Sequence, residues 1–214
     1  MEYLQEWNYK PEKQSVIMVG ADQTGKTTHA MSVAKMLSVK GFNVQILDHK
    51  RKFTSLDPSK VIHTISDITG TGLQILQPHT FSSPEKMHQF FNDLAWVNYS
   101  YHNLHWFIDE LHSWFKDKRT HIPSFELFCR ECHNQNNSFV GIFQSPSEVP
   151  TYVMRNSYHR FMMYLDLEQD IDTMGKIIGK NEVKEFVNGN IPKYEGIYKE
   201  RGQKPKLFKV VKSD

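Results

Sequence analysis

Residues 15–28, SVIMVGADQTGKTT, run from an apolar tetrapeptide through Gly20 into a loop ending in Gly25-Lys26-Thr27. Gly20, four intervening residues, Gly25, Lys26 and Thr27 fit the spacing G-x-x-x-x-G-K-[ST]. Chemistry accounts for that spacing. A polyphosphate is wrapped by backbone N–H groups, so the chain must turn tightly where a Cβ would clash, and Gly20 and Gly25 permit the turn. Ala21, Asp22, Gln23, Thr24 and Thr28 complete the expected phosphate-binding stretch. Lys26 can reach the β- and γ-phosphates and the Thr27 hydroxyl can ligate Mg²⁺. A following helix would turn its N-terminal dipole toward the anion. The flanks agree. Val16, Ile17, Met18 and Val19 read as a short buried strand, and Ala30, Val33, Ala34 and Leu37 share one helix face that ends before Gly41. A glycine-rich turn with an incidental lysine is the competing reading, and the flanks count against it.

About eighty residues on, LHWFIDE (residues 104–110) reads as an apolar strand ending in two acids. A phosphate-loop enzyme holds Mg²⁺ through a carboxylate expected on the strand beside the loop, and Asp109 suits that task. Glu110 would point elsewhere and can polarise an attacking water as general base. SFVGIFQ (residues 138–144) is a further buried strand, ending in an amide. If it lies beside the acid-bearing strand, Gln144 can hydrogen-bond the γ-phosphate or the lytic water and report phosphate loss.

The 214 residues suit one α/β domain: an extension over 1–14, a nucleotide domain over 15–190, and a basic hairpin or tail over 191–214 packed on it. Hydrophobic residues make up 39% and charged residues 23%, which excludes a disordered chain. No run is long and apolar enough for a membrane span, and MEYLQEWNYKPEKQ is too polar for a secretory leader, so a cytoplasmic protein is expected. Net charge is only +2, so any nucleic-acid surface must be local. From Lys176 onward ten basic residues oppose five acids, which leaves the remainder slightly acidic and puts the positive field at the C-terminal end. Cys129, Cys132 and His133 spell C-x-x-C-H. Covalent haem needs export and zinc needs a second ligand pair; the simpler reading puts Phe125, Phe128, Cys129 and Cys132 on the apolar face of a helix.

Elsewhere, residues 43–48 read as a strand ending in Asp48, followed by His49-Lys50-Arg51-Lys52. At a strand's carboxyl end such a run either sits beside the nucleotide, touches DNA or is simply solvated. Residues 61–65 and 73–76 read as short strands, and Ser83-Pro84-Glu85 opens a helix whose Met87, Phe90, Phe91 and Leu94 are core. LHSWFKDKRTHIP (residues 111–123) interleaves Trp114 and Phe115 with Lys116, Lys118, Arg119 and His121, either as a loop that tracks phosphates and brushes bases or as an ordinary exposed loop. Residues 158–166 read as a strand and 167–187 as helical. Residues 194–198 and 207–211 then form a hairpin around Arg201-Gly202-Gln203.

The order of these pieces, GADQTGKT, WFIDE, FQSPSEVP and VMRNSYHRFMMYLD, resembles the FtsK/HerA superfamily of DNA-pumping ATPases, and within it the genome-packaging ATPases of membrane-containing icosahedral viruses. The resemblance covers residues 16 to about 186. It implies a RecA-like α/β fold with a mostly parallel sheet flanked by helices, and ATP with Mg²⁺ as cofactor. It also implies a homo-oligomeric ring, commonly a hexamer, with double-stranded DNA at its centre and capsid or vertex proteins as further partners, in the host cytoplasm or with the virion. It transfers Lys26 and Thr27 as phosphate and Mg²⁺ ligands, Asp109 as the Mg²⁺-side acid, Glu110 as base and Gln144 as sensor. Arg130 and Arg155 are its candidates for an arginine finger, with Arg160 a weaker third. Bacterial chromosome pumps usually carry arginine after the sensor glutamine, where this chain has Ser145.

Two rival readings share the phosphate loop. A nucleoside kinase of the thymidine kinase type also has an acid-ending strand, but it usually carries four zinc cysteines in a C-terminal lasso and has no role for Gln144. A non-translocating assembly switch binds ATP without pumping, and the Asp109-Glu110 pair argues instead for turnover.

Overall fold

The strand β1 (Val16–Val19) is apolar at every position because both its faces are covered. Val16 and Met18 point into one hydrophobic cluster, with Ala30, Val33, Ala34 and Leu37 of helix α1 (Lys26–Val39). Ile17 and Val19 point into the other, filled from the helices on the opposite face. The computed structural model describes residues 15–189 and 194–210, so the expected extension 1–14 and the Val211 end of the expected hairpin lie outside the described residues.

The remaining strands are β2 (Asn43–Leu47), β3 (Val61–Ile62), β4 (Leu73–Leu76), β5 (Leu104–Ile108), β6 (Ser138–Phe143), β7 (His159–Met162), β8 (Glu195–Glu200) and β9 (Lys206–Lys209). Among the described residues they form one sheet in the order β3-β4-β2-β5-β6-β1-β7-β8-β9. Pairing is parallel from β3 to β7 and antiparallel at β7–β8 and β8–β9. The expected α/β fold with a mostly parallel sheet and a C-terminal hairpin is therefore present, and the hairpin extends the same sheet.

Helices α2 (Pro84–Ser100), α3 (Pro123–Glu131), α4 (Thr151–Asn156), α5 (Glu168–Ile178) and α6 (Lys180–Asn188) contribute to the cluster opposite α1. Ser83 caps α2 by accepting from the Lys86 N–H, with Pro84 in the first position. On α3, Phe125, Phe128 and Cys129 are buried as their spacing predicts. Cys132 lies just past the helix, in a 3-10 turn, and is also buried. Burial pushes the Cys132 thiol up to about 11 and the Cys129 thiol well above its usual value, as for core cysteines.

Several sequence boundaries move. Residues 167–187 form two helices, because Gly179 takes φ +143 between α5 and α6. The freed carbonyls of Ile177 and Ile178 accept from Arg160 Nη1 at 3.0 Å and Lys199 Nζ at 2.5 Å. The expected strand over 158–166 keeps its pairing only through Met162, and that over 61–65 only through Ile62. No helix among the described residues is long and apolar enough to cross a membrane.

Candidate nucleotide site

The loop between β1 and α1 is pinned on both sides: Gly20 N–H donates to Phe143 O at 3.3 Å and Ala21 N–H to Tyr164 O at 2.7 Å. A Cβ on Gly20 would stand 2.8 Å from Met163 Cβ, so only glycine fits. Gly25 takes φ +101 as the residue before α1, the left-handed turn that aims the first helical N–H groups into the loop. Inside the turn, Lys26 Nζ donates to Ala21 O at 2.6 Å. Burial lowers its pKa to about 8, partly offset by the charges of Glu110 and Asp22, so it is still largely cationic at neutral pH. A polyphosphate would relieve that desolvation. The cleft holds about 380 Å³ and is lined by Asp22, Gln23, the Gly25–Thr28 segment, Lys52 and Tyr194.

Asp109 and Glu110 follow β5 directly, one and two residues past its last pair. Asp109 is 1% exposed, and neither of its carboxylate oxygens has a hydrogen-bond partner among the described residues. Burial pushes it up to about 6. A buried, unpartnered carboxylate at the mouth of a phosphate loop fits a divalent cation, whose charge would offset the desolvation.

Glu110 adopts φ 49, ψ 44, left-handed for a non-glycine residue, and so turns the chain sharply away from the strand. Its carboxylate meets Lys50 Nζ at 3.0 Å and Lys52 Nζ at 2.9 Å. Burial alone would raise its pKa, but the hydrogen bonds and charges of the two lysines outweigh that and hold it below the usual carboxylate range. Gln144 Nε2 donates to Asp22 Oδ1 at 3.0 Å and lies 3.4 Å from both Glu110 oxygens. One amide thus touches the phosphate loop and the carboxylate together.

Asp48 puts the lysines there. Fully buried at the end of β2, it accepts from the N–H groups of Lys52 (2.7 Å) and Phe53 (2.9 Å) and from Gln77 Nε2 (2.9 Å). It folds residues 48–53 over the sheet edge, so the basic run sits beside the site. Sequence reasoning left Lys50 and Lys52 without a partner; the signal available was an acid at a strand end followed at once by cations.

Sequence comparison is silent: no protein-family profile matches the chain, and no curated protein matches it. Structure comparison is not. The genome-packaging NTPase B204 of Sulfolobus turreted icosahedral virus 2, in complex with AMPPCP, superposes with TM-score 0.78 at 16% identity, over 95% of this chain and 100% of that one. B204 of Sulfolobus turreted icosahedral virus, described as a DNA-packaging ATPase, gives 0.73 at 16% identity over 93% and 98% of the two chains. VirB4 of Thermoanaerobacter pseudethanolicus gives 0.72 at 12% identity, over 93% and 89%. The chain shares the fold of these NTPases, a mostly parallel sheet flanked by helices.

Within this fold, two expectations need correction. The acid-bearing β5 is not beside the P-loop strand: β6 lies between them, which is why Gln144, at the end of β6, reaches both sides. Trp114 and Phe115 do not face solvent. The 3-10 turn after Glu110 carries Trp114 back onto α2, stacked on Phe91 at 5.2 Å, while the charged Lys116, Asp117, Lys118 and Arg119, and His121, remain exposed. Arg160, the weaker third candidate, donates from Nη1 to Ile177 O at 3.0 Å at the end of α5.

Arg130 and Arg155 are both exposed and lie near the edge where the strands begin, opposite the P-loop. Among the described residues, Glu110 pairs with Lys50 and Lys52 and with neither arginine. Arg155 lines a larger cleft, of about 810 Å³, between α4 and α5. That cleft holds no P-loop amide and neither acid, so size does not mark the nucleotide site.

Proposed function

We propose that the protein is an ATPase that translocates double-stranded DNA as a homo-oligomeric ring, in the manner of a viral genome-packaging motor, with capsid or vertex proteins as partners. The observation that carries this reading is Gln144, which spans from Asp22 in the P-loop to Glu110, so that a change at the γ-phosphate is felt at the base through one side chain. Similarity in fold to the B204 packaging NTPases supports the class of activity.

ATP would bind across the loop from Gly20 to Thr28, its phosphates on the loop N–H groups and Lys26. Thr27 and Asp109 would hold Mg²⁺, which supplies charge neutralisation at the phosphates when bound. Glu110 orients water for in-line attack once the γ-phosphate draws Lys52 away from it, which leaves Lys50 as its one paired lysine and raises its basicity. Arg130 or Arg155 would have to reach the γ-phosphate from a neighbouring subunit, since neither meets this subunit's own site. The exposed Lys116, Lys118 and Arg119 contact DNA phosphates without reading sequence.

Steady-state ATP hydrolysis with and without double-stranded DNA, at low and moderate salt, tests the reading. Salt-sensitive stimulation that Lys26→Ala abolishes is expected. Hydrolysis indifferent to DNA under all conditions would overturn the motor, and phosphorylation of added thymidine would identify a kinase instead.

A further inference from the structure

On the side of β1 away from the acids, the C-terminal hairpin closes the nucleotide cleft. β8 runs antiparallel to β7, pairing Ile197 with Met162, so its first residues lie at the same sheet edge as the P-loop. β9 returns to that edge, and Val210 N–H donates to Tyr194 O at 2.8 Å. The Tyr194 ring packs on the loop: a Cβ on Gly25 would meet Tyr194 Cδ1 at 2.7 Å and Val210 Cγ2 at 3.4 Å. Tyr194 holds φ +72, a left-handed conformation that is an outlier for a bulky side chain and points to a functional constraint. Lys52, on another wall of the cleft, is bonded to Glu110 at 2.9 Å. The cleft therefore has a charged end toward β5 and an aromatic end toward β8 and β9.

A nucleoside triphosphate that puts its γ-phosphate at Glu110 and its β-phosphate on the loop amides must direct its base toward the hairpin. We propose that Tyr194 is the base-stacking residue of this site, and that the site takes purine nucleoside triphosphates by ring stacking. The inference rests on the nucleotide occupying this cleft as proposed above. A ring reads the face of a base, not its edge, so ATP and GTP are accepted alike and pyrimidine triphosphates, with less overlap, bind more weakly.

Calorimetric titration of the full chain and its Tyr194→Ala and Tyr194→Phe variants with ATP, CTP and tripolyphosphate, each with Mg²⁺, tests it. Tyr194→Ala is expected to weaken ATP binding roughly tenfold or more while tripolyphosphate binding stays within about twofold, and Tyr194→Phe restores most of the loss. The tripolyphosphate arm also reports that the variant's loop is folded. Unchanged ATP affinity in Tyr194→Ala overturns the proposal. So does an equal loss of ATP and tripolyphosphate, which would mean that the ring only props Gly25. A wild-type chain that binds tripolyphosphate as tightly as ATP rejects stacking and leaves the phosphate site standing. One that binds neither rejects the nucleotide reading, and the stacking residue with it.

Discussion

Asn137 and Asp109 are polar side chains at opposite edges of one sheet, each 1% exposed, and the fold treats them in opposite ways. Asn137, just before β6, accepts from Leu104 N–H at 2.8 Å and donates to Tyr101 O at 2.7 Å and Asn98 O at 3.4 Å. It ties the start of β5 to the end of α2. Asp109, just after β5, has no hydrogen-bond partner for either oxygen among the described residues. Satisfied buried polar groups hold an edge together, and an unsatisfied carboxylate weakens it unless a ligand arrives. The strand-start edge is built for stability. The strand-end edge, with the left-handed Glu110 and the desolvated Lys26 beside Asp109, is built for binding.

The largest effect belongs to the strand-end edge. Glu110→Gln should lower turnover by roughly 10²–10⁴ while ATP is still bound, because the base is lost and the phosphate ligands remain. Single-turnover hydrolysis set beside an equilibrium binding measurement checks it. A normal rate would remove Glu110 from its proposed role.

At the other edge, Asn137→Ala should cost about 2–4 kcal/mol in urea unfolding, since the Leu104 N–H and two carbonyls lose their partner in the core. ATP affinity should not follow. If it falls in step with stability, the two edges are not independent.

A smaller effect of opposite sign is expected for Asp109→Asn. Burial raises the folded pKa of Asp109 from 3.8 to about 6, so the folded state holds the proton more tightly than the unfolded chain. Nucleotide-free stability therefore falls as pH rises from about 4 through about 6, and the whole penalty, at most about 3 kcal/mol, is present at pH 7. Asp109→Asn should remove that slope and raise nucleotide-free stability at pH 7 by about 1–2 kcal/mol, while Mg²⁺-dependent turnover is lost. Urea unfolding at several pH values reads it. A variant less stable than wild type at pH 7 would show that Asp109 is satisfied in the free protein.

Much of the site was legible in the sequence because each part is local. The P-loop is one contiguous turn whose glycines, lysine and threonine need fixed spacing, and Asp109, Glu110 and Gln144 each follow an apolar run at a strand end. What failed was long-range. Trp114 and Phe115 read as exposed because their neighbours Lys116, Lys118 and Arg119 are charged, yet Glu110's backbone turn carries the two rings into the core. Lys52 pairs with Glu110 across 58 residues, and no spacing announces that. Arg160 likewise meets Ile177 O, a carbonyl freed where Gly179 ends α5, across 17 residues.

By itself the sequence determined the phosphate loop, the apolar strands and the acids at their ends, since steric limits on glycine, side-chain period and burial act within a few residues. Tertiary structure alone decided the sheet order. It put β6 between the P-loop and the acids, and so made Gln144 the bridge; it folded Lys50 and Lys52 over the edge onto Glu110, and it brought Tyr194 against Gly25. The physical reason is that a crossover connection can set a strand down away from its sequence neighbour, as β6 stands between β5 and β1, so distance along the chain does not by itself say which strand ends meet.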